Sequence, residues 1–131
     1  MPEIKRSHIR LLVNKFRECF LFYQDILEQP VRYGDANSDY AEFKTDALHI
    51  ALFKRDLMAT VVKKDAQPID VQGQDRVALI LRVDDVQDSF KKLTAKGVRF
   101  VTEPVDRIEW ECRTAHFRDP DGNLIELNSD L

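Results

Sequence analysis

Hydrophobic and polar residues alternate along two segments of the chain, residues 8–13 and residues 77–83. In the first segment the apolar members are Ile9, Leu11 and Val13. A period of two predicts a β-strand with one buried face, because successive side chains of a strand point to opposite sides. Each segment is followed by apolar residues at helical spacing, namely Phe16, Cys19, Phe20 and Tyr23 after the first and Val86, Phe90 and Leu93 after the second. Each half of the chain is therefore predicted to start with a strand and a helix.

The remainder of the pattern also occurs twice, which indicates an internal structural repeat. Three shorter strands are predicted after each helix, at about residues 30–34, 40–45 and 47–54 in the first copy and 98–102, 110–118 and 123–128 in the second. We therefore predict an α+β fold, a single domain over residues 1–131 with βαβββ units at about 4–55 and 77–131 and a connecting arm at about 56–76. The eight strands are expected to form a curved mixed sheet around an open cleft, with the helices on its outer face.

Local signals predict where the elements of the second unit end. Asp84 or Asp85 is placed to cap the start of its helix, and Gly97 is placed to end that helix in a left-handed conformation. Pro120 and Gly122 suit a tight turn, because proline presets one backbone angle and glycine accepts a positive φ. The last two strands of this unit are therefore predicted to form a hairpin.

Strand alternation also predicts which side chains face the cleft. If the apolar members of each first strand lie under the helix, the intervening residues face the open side. The predicted cleft residues are His8, Arg10 and Leu12 in unit 1, Ala78, Ile80 and Arg82 in unit 2, and His49, Ala51, Phe53 and Glu126 in the last strands. Glu126 is the most informative of them, since a carboxylate in an apolar strand needs water, a cation, a metal or a ligand as its partner.

The composition is that of a globular domain without a nucleic-acid-binding surface. The 131 residues carry a net charge of −3 and the basic residues are scattered among acidic ones, whereas nucleic-acid-binding proteins usually gather a basic face. No apolar run is long enough to span a membrane, and the N-terminus lacks the apolar segment of a signal peptide. Two cysteines are too few for a disulfide framework. We therefore expect a cytoplasmic protein with no nucleic-acid or membrane partner.

Two motifs, together with the paired βαβββ units, resemble those of the vicinal oxygen chelate superfamily. They are FRDPDGNLIEL at residues 117–127 and FYQDIL at residues 22–27. This superfamily includes glyoxalase I, bleomycin-resistance proteins, fosfomycin-resistance enzymes and extradiol dioxygenases, and the resemblance extends from His8 to Asn128. Glu28 departs from it, because the family motif usually has glycine there. The resemblance implies a small-molecule ligand in the cleft and a homodimer.

The resemblance also implies where a metal would bind. In metal-dependent members each unit supplies one ligand from its first strand and one from its last, which by position are His8, Ala51, Ala78 and Glu126. Alanine has no atom that coordinates a metal, so half of the set is missing and we expect no metal cofactor. The alternative is a divalent zinc, nickel, iron or manganese ion held by His8 and Glu126, since imidazole and carboxylate suit these metals.

The other two histidines are candidates for the same cleft. His49 lies on the same predicted face as Ala51, and His116 is predicted to face the opening from the neighbouring strand. Either of them contacts the ligand or completes a rearranged metal site with His8 and Glu126, or both are ordinary wall residues. Histidine also suits a general base, because its unperturbed pKa lies near neutral pH.

Two arginines and a tryptophan complete the candidate ligand-binding residues. Arg10 and Arg82 either bind the carboxylate or phosphate of an anionic ligand or pair with local acids such as Glu126. Trp110 is expected to add an apolar wall to the cleft.

These residues favour a protein that binds a small anionic or aromatic organic molecule without the full family metal site. The alternative function is that of a divalent-metal-dependent lyase, isomerase or dioxygenase of the glyoxalase I or extradiol dioxygenase type that uses His8 and Glu126. A third possibility is an interaction domain whose sheet edges bind a partner protein. A shared fold does not choose among these functions.

Overall fold

The structure, a computed structural model, describes residues 3, 8–44, 49–61, 75 and 77–131. The chain divides into two compact units, residues 1–69 and residues 70–131. Most of the predicted arm, residues 47 and 48 of a predicted strand, and residues 4–7 lie outside the described residues. The predicted α+β class is confirmed, because each unit contains a four-stranded mixed sheet and few helices.

Unit 1 follows the predicted order of elements. Its elements are β1 (His8–Val13), α1 (Phe16–Leu21), a π-helix (Phe22–Ile26), β2 (Val31–Tyr33), β3 (Tyr40–Phe43), β4 (His49–Lys54) and α2 (Arg55–Val61). The strand order across the sheet is β1-β4-β3-β2, in which β1 and β4 are parallel and the other neighbours antiparallel. A crossover of this kind brings the first and last strands of the unit side by side, which places His8 opposite His49.

Unit 2 repeats this arrangement. Its elements are β5 (Ala78–Arg82), α3 (Val86–Ala95), β6 (Phe100–Arg107), a 3₁₀-helix (Ile108–Trp110), β7 (Cys112–Arg118) and β8 (Leu124–Asp130). The strand order is β5-β8-β7-β6, again with a parallel pair between the first and last strands. The prediction of the same unit twice is therefore confirmed at the level of sheet topology.

Each helix packs its apolar face on one side of its own sheet. In unit 1 the ring of Phe43 lies 5.3 Å from that of Phe20 and 5.7 Å from that of Tyr23. In unit 2 the ring of Phe100 lies 4.6 Å from Phe90 and 5.1 Å from Phe117. Burial of such aromatic side chains stabilises a domain by about 1.5–3 kcal/mol each, so these contacts orient the helix on the sheet.

The predicted caps and turn of unit 2 are confirmed. The carboxylate of Asp85 accepts a hydrogen bond of 3.1 Å from the backbone N–H of Asp88, so Asp85 rather than Asp84 caps α3. Gly97 has a φ of +94° directly after that helix, and Gly122 has a φ of +90° in the hairpin. The carboxylate of Asp119 strengthens the hairpin, because it accepts from the backbone of Asp121 and Asn123.

Two strand boundaries of unit 2 differ from the prediction. The strand predicted at 98–102 continues to Arg107, past Pro104, because β6 is an edge strand and tolerates a residue without a backbone N–H. The strand predicted at 110–118 starts at Cys112, because Trp110 belongs to the 3₁₀-helix and Glu111 adopts a left-handed conformation with a φ of 56°. That turn breaks the strict alternation on which the position of Trp110 was predicted.

Candidate functional site

Burial along the strands confirms the predicted alternation within each unit. In β1 Leu11 and Val13 are buried while His8 and Arg10 are exposed. In β8 Ile125 and Leu127 are buried while Glu126 is only partly so. Each sheet therefore has a face away from its helix, and we call these the polar face of unit 1 and the polar face of unit 2. The predicted cleft shared by His8 and Glu126 stays a prediction, because these residues belong to different units.

Glu42 is the only carboxylate that the described residues place on the polar face of unit 1 next to the predicted cleft residues. It lies opposite Ala51 in the register of β3 and β4. The hydroxyl of Tyr40 donates to its Oε1 at 2.5 Å, and Arg32 Nε lies 3.5 Å from its Oε2. The bond from Tyr40, followed by the positive field of Arg32, holds the pKa of Glu42 below its ordinary value. Burial, together with the bond to Glu42, raises the pKa of Tyr40.

Arg10 lies against two aromatic rings. Its guanidinium carbon lies 5.3 Å from the ring centre of Tyr40 and 5.5 Å from that of Phe53. It forms no salt bridge with an acid in the part of the chain that the structure describes. Aromatic faces stabilise a guanidinium, and Arg10 also interacts with the hydroxyl of Tyr40. A guanidinium has five N–H donors and Arg10 is exposed, so its other donors are accessible to a ligand.

His8 and His49 lie side by side in the register of β1 and β4. Nη1 of Arg32 lies 3.5 Å from Nε2 of His49. Nδ1 of His49 is buried and has no hydrogen-bond partner among the described residues. Because Arg32 can only donate, Nε2 of His49 is the acceptor in this contact. Arg32 and the two histidines therefore give the polar face of unit 1 several N–H donors.

Glu126, which the sequence singled out, has its partners within unit 2. Its Oε1 lies 2.9 Å from Nε2 of His116, and the other ring nitrogen, Nδ1, lies 2.7 Å from the hydroxyl oxygen of Thr102. The side chains of His116 and Glu126 are 17% and 13% exposed. These three residues lie in one row across β6, β7 and β8. We call this hydroxyl–imidazole–carboxylate row the triad.

Arg82 is connected to Glu126 through a neighbour instead of directly. Nη1 of Arg82 donates to Oδ1 of Asn128 at 2.8 Å, and Nδ2 of Asn128 donates to Oε2 of Glu126 at 3.3 Å. Arg82 also forms a salt bridge with Asp130. The alternative in which Arg82 pairs with local acids is therefore confirmed for Asp130, and its guanidinium is less available to a ligand than that of Arg10.

Trp110 does not occupy a strand position on the polar face. It is 60% exposed in the 3₁₀-helix, and the guanidinium of Arg107 lies 5.5 Å from its ring. The side chain is held by this cation–π contact and by the turn at Glu111. Its assignment to a strand was wrong, and its role as a wall of the ligand cleft stays a prediction.

The donors present do not fit the four-ligand metal site of the family. Ala51 and Ala78 lie at two of the positions, on β4 and β5. Both oxygens of Glu126 already accept hydrogen bonds, from His116 and Asn128. Among the described residues no group of three or more His, Cys, Asp and Glu side chains is arranged to hold a metal ion. We therefore derive no chemistry through a metal.

Sequence reasoning missed five residues of the two polar faces, which are Arg32, Tyr40, Glu42, Thr102 and Asn128. The alternation in YAEF at residues 40–43 contained the signal for Tyr40 and Glu42, because Ala41 and Phe43 are both buried. No comparable signal marked Thr102. It lies between two irregularities in the pairing of β6 with β7, which shift the alternation.

Comparisons with known proteins agree with this architecture. The model of the glyoxalase-like domain family matches residues 7–131. The chain belongs to the glyoxalase-like domain family. This places it in the vicinal oxygen chelate superfamily, which the motifs at 22–27 and 117–127 suggested. Across the described residues of this glyoxalase-like chain, no helix combines the length and the apolar character needed to span a membrane.

Among its relatives, the glyoxalase-like chain is 39% identical over 124 residues to the uncharacterized protein YraH of Bacillus subtilis (strain 168), covering 95% of this chain and 97% of that protein. A glyoxalase/bleomycin resistance protein/dioxygenase from Nocardioides is similar in structure, with a TM-score of 0.80 and 19% identity over 100% of this chain and 86% of the other. Lactoylglutathione lyase from Agrobacterium tumefaciens has a TM-score of 0.75 and 15% identity, covering 98% and 96% of the two chains. At such identities the two solved structures show the fold alone.

Proposed function

We propose that this glyoxalase-like protein binds a small organic anion with a planar or aromatic group on the polar face of unit 1. Arg10 is the anchor of the proposed site. The observation that carries the proposal is that its guanidinium lies against Tyr40 and Phe53 without an acidic partner among the described residues. By contrast, Arg113 pairs with Asp106 and Arg118 pairs with Asp75.

The neighbours of Arg10 support an anionic ligand. Arg10 and Arg32 bring two positive charges to this face, whereas Glu42 is its one carboxylate among the described residues and already accepts from Tyr40. A bidentate bond between a guanidinium and a carboxylate is among the strongest neutral-pH contacts available to a small ligand. The rings of Tyr40 and Phe53 would pack against the planar part of the same molecule. In this proposal His8 and His49, which lie side by side on the same face, supply additional donors.

The proposal is tested with a charged and a neutral probe of the same shape. We would titrate 2-naphthoate and 2-naphthamide into the protein by isothermal titration calorimetry. The carboxylate is expected to bind, and Arg10→Met, which keeps the apolar stem, is expected to weaken its binding at least about tenfold. Arg113→Met is the matched control, because that arginine is paired with Asp106. Equal binding of both probes, or equal losses in both variants, would contradict the proposal.

We further propose that the protein acts without the complete metal site of its family. The support is chemical, since Ala51 and Ala78 offer no donor atoms at two ligand positions. The alternative, a divalent-metal-dependent lyase, isomerase or dioxygenase that uses His8 and Glu126, requires a ligand set that this chain supplies only in half. Elemental analysis of the purified protein is expected to find far less than one zinc, nickel, iron or manganese per chain. One tightly held ion per chain would favour the enzyme.

A homodimer is also proposed. β1 and β5 are each the outermost strand on one side of their own sheet. Leu12 on β1 and Ile80 on β5 are 37% and 56% exposed. An outermost strand with exposed apolar side chains is suited to pairing with another chain. Light scattering coupled to gel filtration is expected to give twice the mass of one chain. A monomer at micromolar concentration would contradict this proposal.

The proposed location is the cytoplasm. Cys19 and Cys112 are both buried and form no disulfide. Buried thiols are compatible with a reducing compartment, in which cysteines are kept unpaired. Fractionation of cells that produce the protein, with a periplasmic or secreted marker as control, tests this location.

A further inference from the structure

We propose that the triad on unit 2 is a nucleophilic centre in which the Thr102 hydroxyl attacks small activated acyl or sulfonyl compounds. This activity is independent of ligand binding at Arg10. In the proposal Thr102 is the nucleophile, His116 is its general base and Glu126 is a positioning residue. The proposal rests on the order of the three groups and on the two hydrogen bonds that join them.

The hydrogen bonds determine the tautomer of a neutral His116. A carboxylate can only accept, so Nε2 of His116 carries the proton that lies between it and Oε1 of Glu126, 2.9 Å away. Nδ1 is then a bare acceptor, and the Thr102 hydroxyl, at 2.7 Å, is its donor. The base therefore points its lone pair at the hydroxyl proton. Nucleophile, base and orienting acid follow one another as in the hydroxyl–imidazole–carboxylate arrangements that activate serine and threonine.

The surroundings hold this geometry. Asn128 donates to the second oxygen of Glu126 at 3.3 Å and is itself held by Arg82 at 2.8 Å. His116 and Glu126 are mostly buried, which strengthens their mutual hydrogen bond relative to one in water. Such a network fixes the plane of the imidazole ring. Glu126, which lies at a ligand position of the family, is used here to orient a histidine.

Thr102 lies at the accessible end of the triad. It belongs to the edge strand β6, and the pairing of β6 with β7 is irregular on both sides of it. Thr102 is partly exposed, whereas Phe117 and Ile125, which point to the opposite face of the same sheet, are fully buried. Irregularities in strand pairing re-aim side chains and are frequent next to active sites. A small electrophile can therefore approach Oγ1 from the edge of the sheet.

The proposed reaction balances without a metal or a redox partner. Oγ1 of Thr102 attacks the carbonyl carbon of an ester and its proton passes to Nδ1 of His116. The bond to the leaving alcohol or phenol then breaks, and the proton moves from His116 to the departing oxygen. Water, activated by the same nitrogen, hydrolyses the acyl-threonine to a carboxylic acid and restores the hydroxyl. With a sulfonyl fluoride the first step releases fluoride and a proton and leaves a stable sulfonyl ester.

The test uses the whole chain and two probes. The protein is incubated with phenylmethylsulfonyl fluoride, and intact-mass and peptide mass spectrometry locate the adduct. Hydrolysis of p-nitrophenyl acetate is followed in parallel at 400 nm as a check of turnover. We expect one adduct per chain, on Thr102, and saturable ester hydrolysis.

Variants separate the three roles. Thr102→Val is expected to abolish the adduct and Thr102→Ser to retain it, which distinguishes lost chemistry from lost folding. His116→Gln is expected to lower the rate of labelling at least about a hundredfold. Glu126→Gln keeps an acceptor oxygen but loses the charge, and is expected to lower kcat about tenfold with KM unchanged. Thr94→Val, which removes an exposed hydroxyl from α3 with no imidazole partner, is expected to leave labelling unchanged.

Three results would overturn the proposal. The first is an unlabelled wild-type protein that is fully folded by circular dichroism. The second is an adduct on Cys112, on a histidine or on another hydroxyl in place of Thr102. The third is a labelling rate that is the same in His116→Gln and in the wild type. Because naphthoate binding at Arg10 is measured separately, failure of the triad and failure of the proposed binding site are distinguishable.

Discussion

The hydroxyl of Tyr40 donates a hydrogen bond of 2.5 Å to Oε1 of Glu42, two residues along the same strand. Both side chains project from the same face of β3, since the residue between them, Ala41, is buried on the other. This bond links the aromatic wall beside Arg10 to the carboxylate that lies opposite Ala51.

The pH dependence of stability is predicted to depend on this bond. Since folding lowers the pKa of Glu42 from its ordinary value of 4.5, its contribution is present above that value and is lost as the pH falls through the lower pKa of the folded state. Tyr40→Phe is expected to decrease the free energy of unfolding at pH 7 by about 1 kcal/mol, and this loss is expected to become smaller as the pH falls through the lowered pKa of Glu42. Urea denaturation at several pH values measures this. Tyr33→Phe is the control, and a loss that stays the same throughout the acid range in which the protein is folded would contradict the prediction.

Gly34 is predicted to be the glycine least tolerant of substitution in the described residues. Its φ is +84°, and a Cβ at this position would lie 2.5 Å from the backbone oxygen of Tyr40. Gly97 has a similar φ of +94°, but a Cβ there would meet nothing within 4 Å. Gly34→Ala is therefore expected to lower the free energy of unfolding by several kcal/mol, against about 1 kcal/mol for Gly97→Ala. Similar losses in the two variants, measured by chemical denaturation, would show that the contact with Tyr40 is relieved at little cost.

Glu28 occupies the position of the glycine in the family motif. Its backbone is in the left-handed conformation, which glycine adopts more easily than any other residue. Its φ is 53°, directly after the π-helix. A left-handed conformation costs a residue with a Cβ about 1–2 kcal/mol. Glu28→Gly is expected to raise the free energy of unfolding by about 0.5–1 kcal/mol, after the extra freedom of glycine in the unfolded chain is subtracted. Glu28→Ala keeps the strain and is the control. A gain in the alanine variant would attribute the effect to the glutamate side chain instead.

The two adjacent aspartates before α3 are predicted to differ in their effects on stability. Asp85 caps the helix through the N–H of Asp88, while Asp84 makes no such bond. Asp85→Ala is expected to cost about 1 kcal/mol, which is typical of a lost N-cap. Asp84→Ala is expected to change the melting temperature by much less. Thermal unfolding of the two variants, followed by circular dichroism, makes the comparison, and an equal loss in both would show that the cap is shared.

Most of the fold could be predicted from the chain alone. The alternation of Ile9, Leu11 and Val13 is a local property of a strand and survives whatever packs around it. The end of α3 could also be predicted, because Gly97 adopts the left-handed conformation that ends a helix and this depends only on the local sequence. Trp110 was misassigned because the sequence carries no signal for the turn that follows it. The chain turns at Glu111 into a left-handed conformation, which glutamate rarely adopts and which no nearby residue signals.

The candidate site was predicted by face but not by partner. The sequence predicted that Glu126 needs a partner but not which residue that is. In the structure the partner is His116, and Asn128 links Glu126 to Arg82. Glu42 was missed although its alternation was visible, because only the register of β3 with β4 places it opposite Ala51.

The repeated βαβββ unit, and the side chains of each strand that face away from its helix, follow from the amino-acid pattern alone. The contacts of His116 with Thr102 and Glu126, and of Arg10 with Tyr40 and Phe53, follow from the folded arrangement of the strands. The two kinds of information differ in how far along the chain they extend. Side-chain direction repeats every second residue along one strand, whereas the register that brings Thr102 to a histidine 14 residues away depends on how separate strands pair.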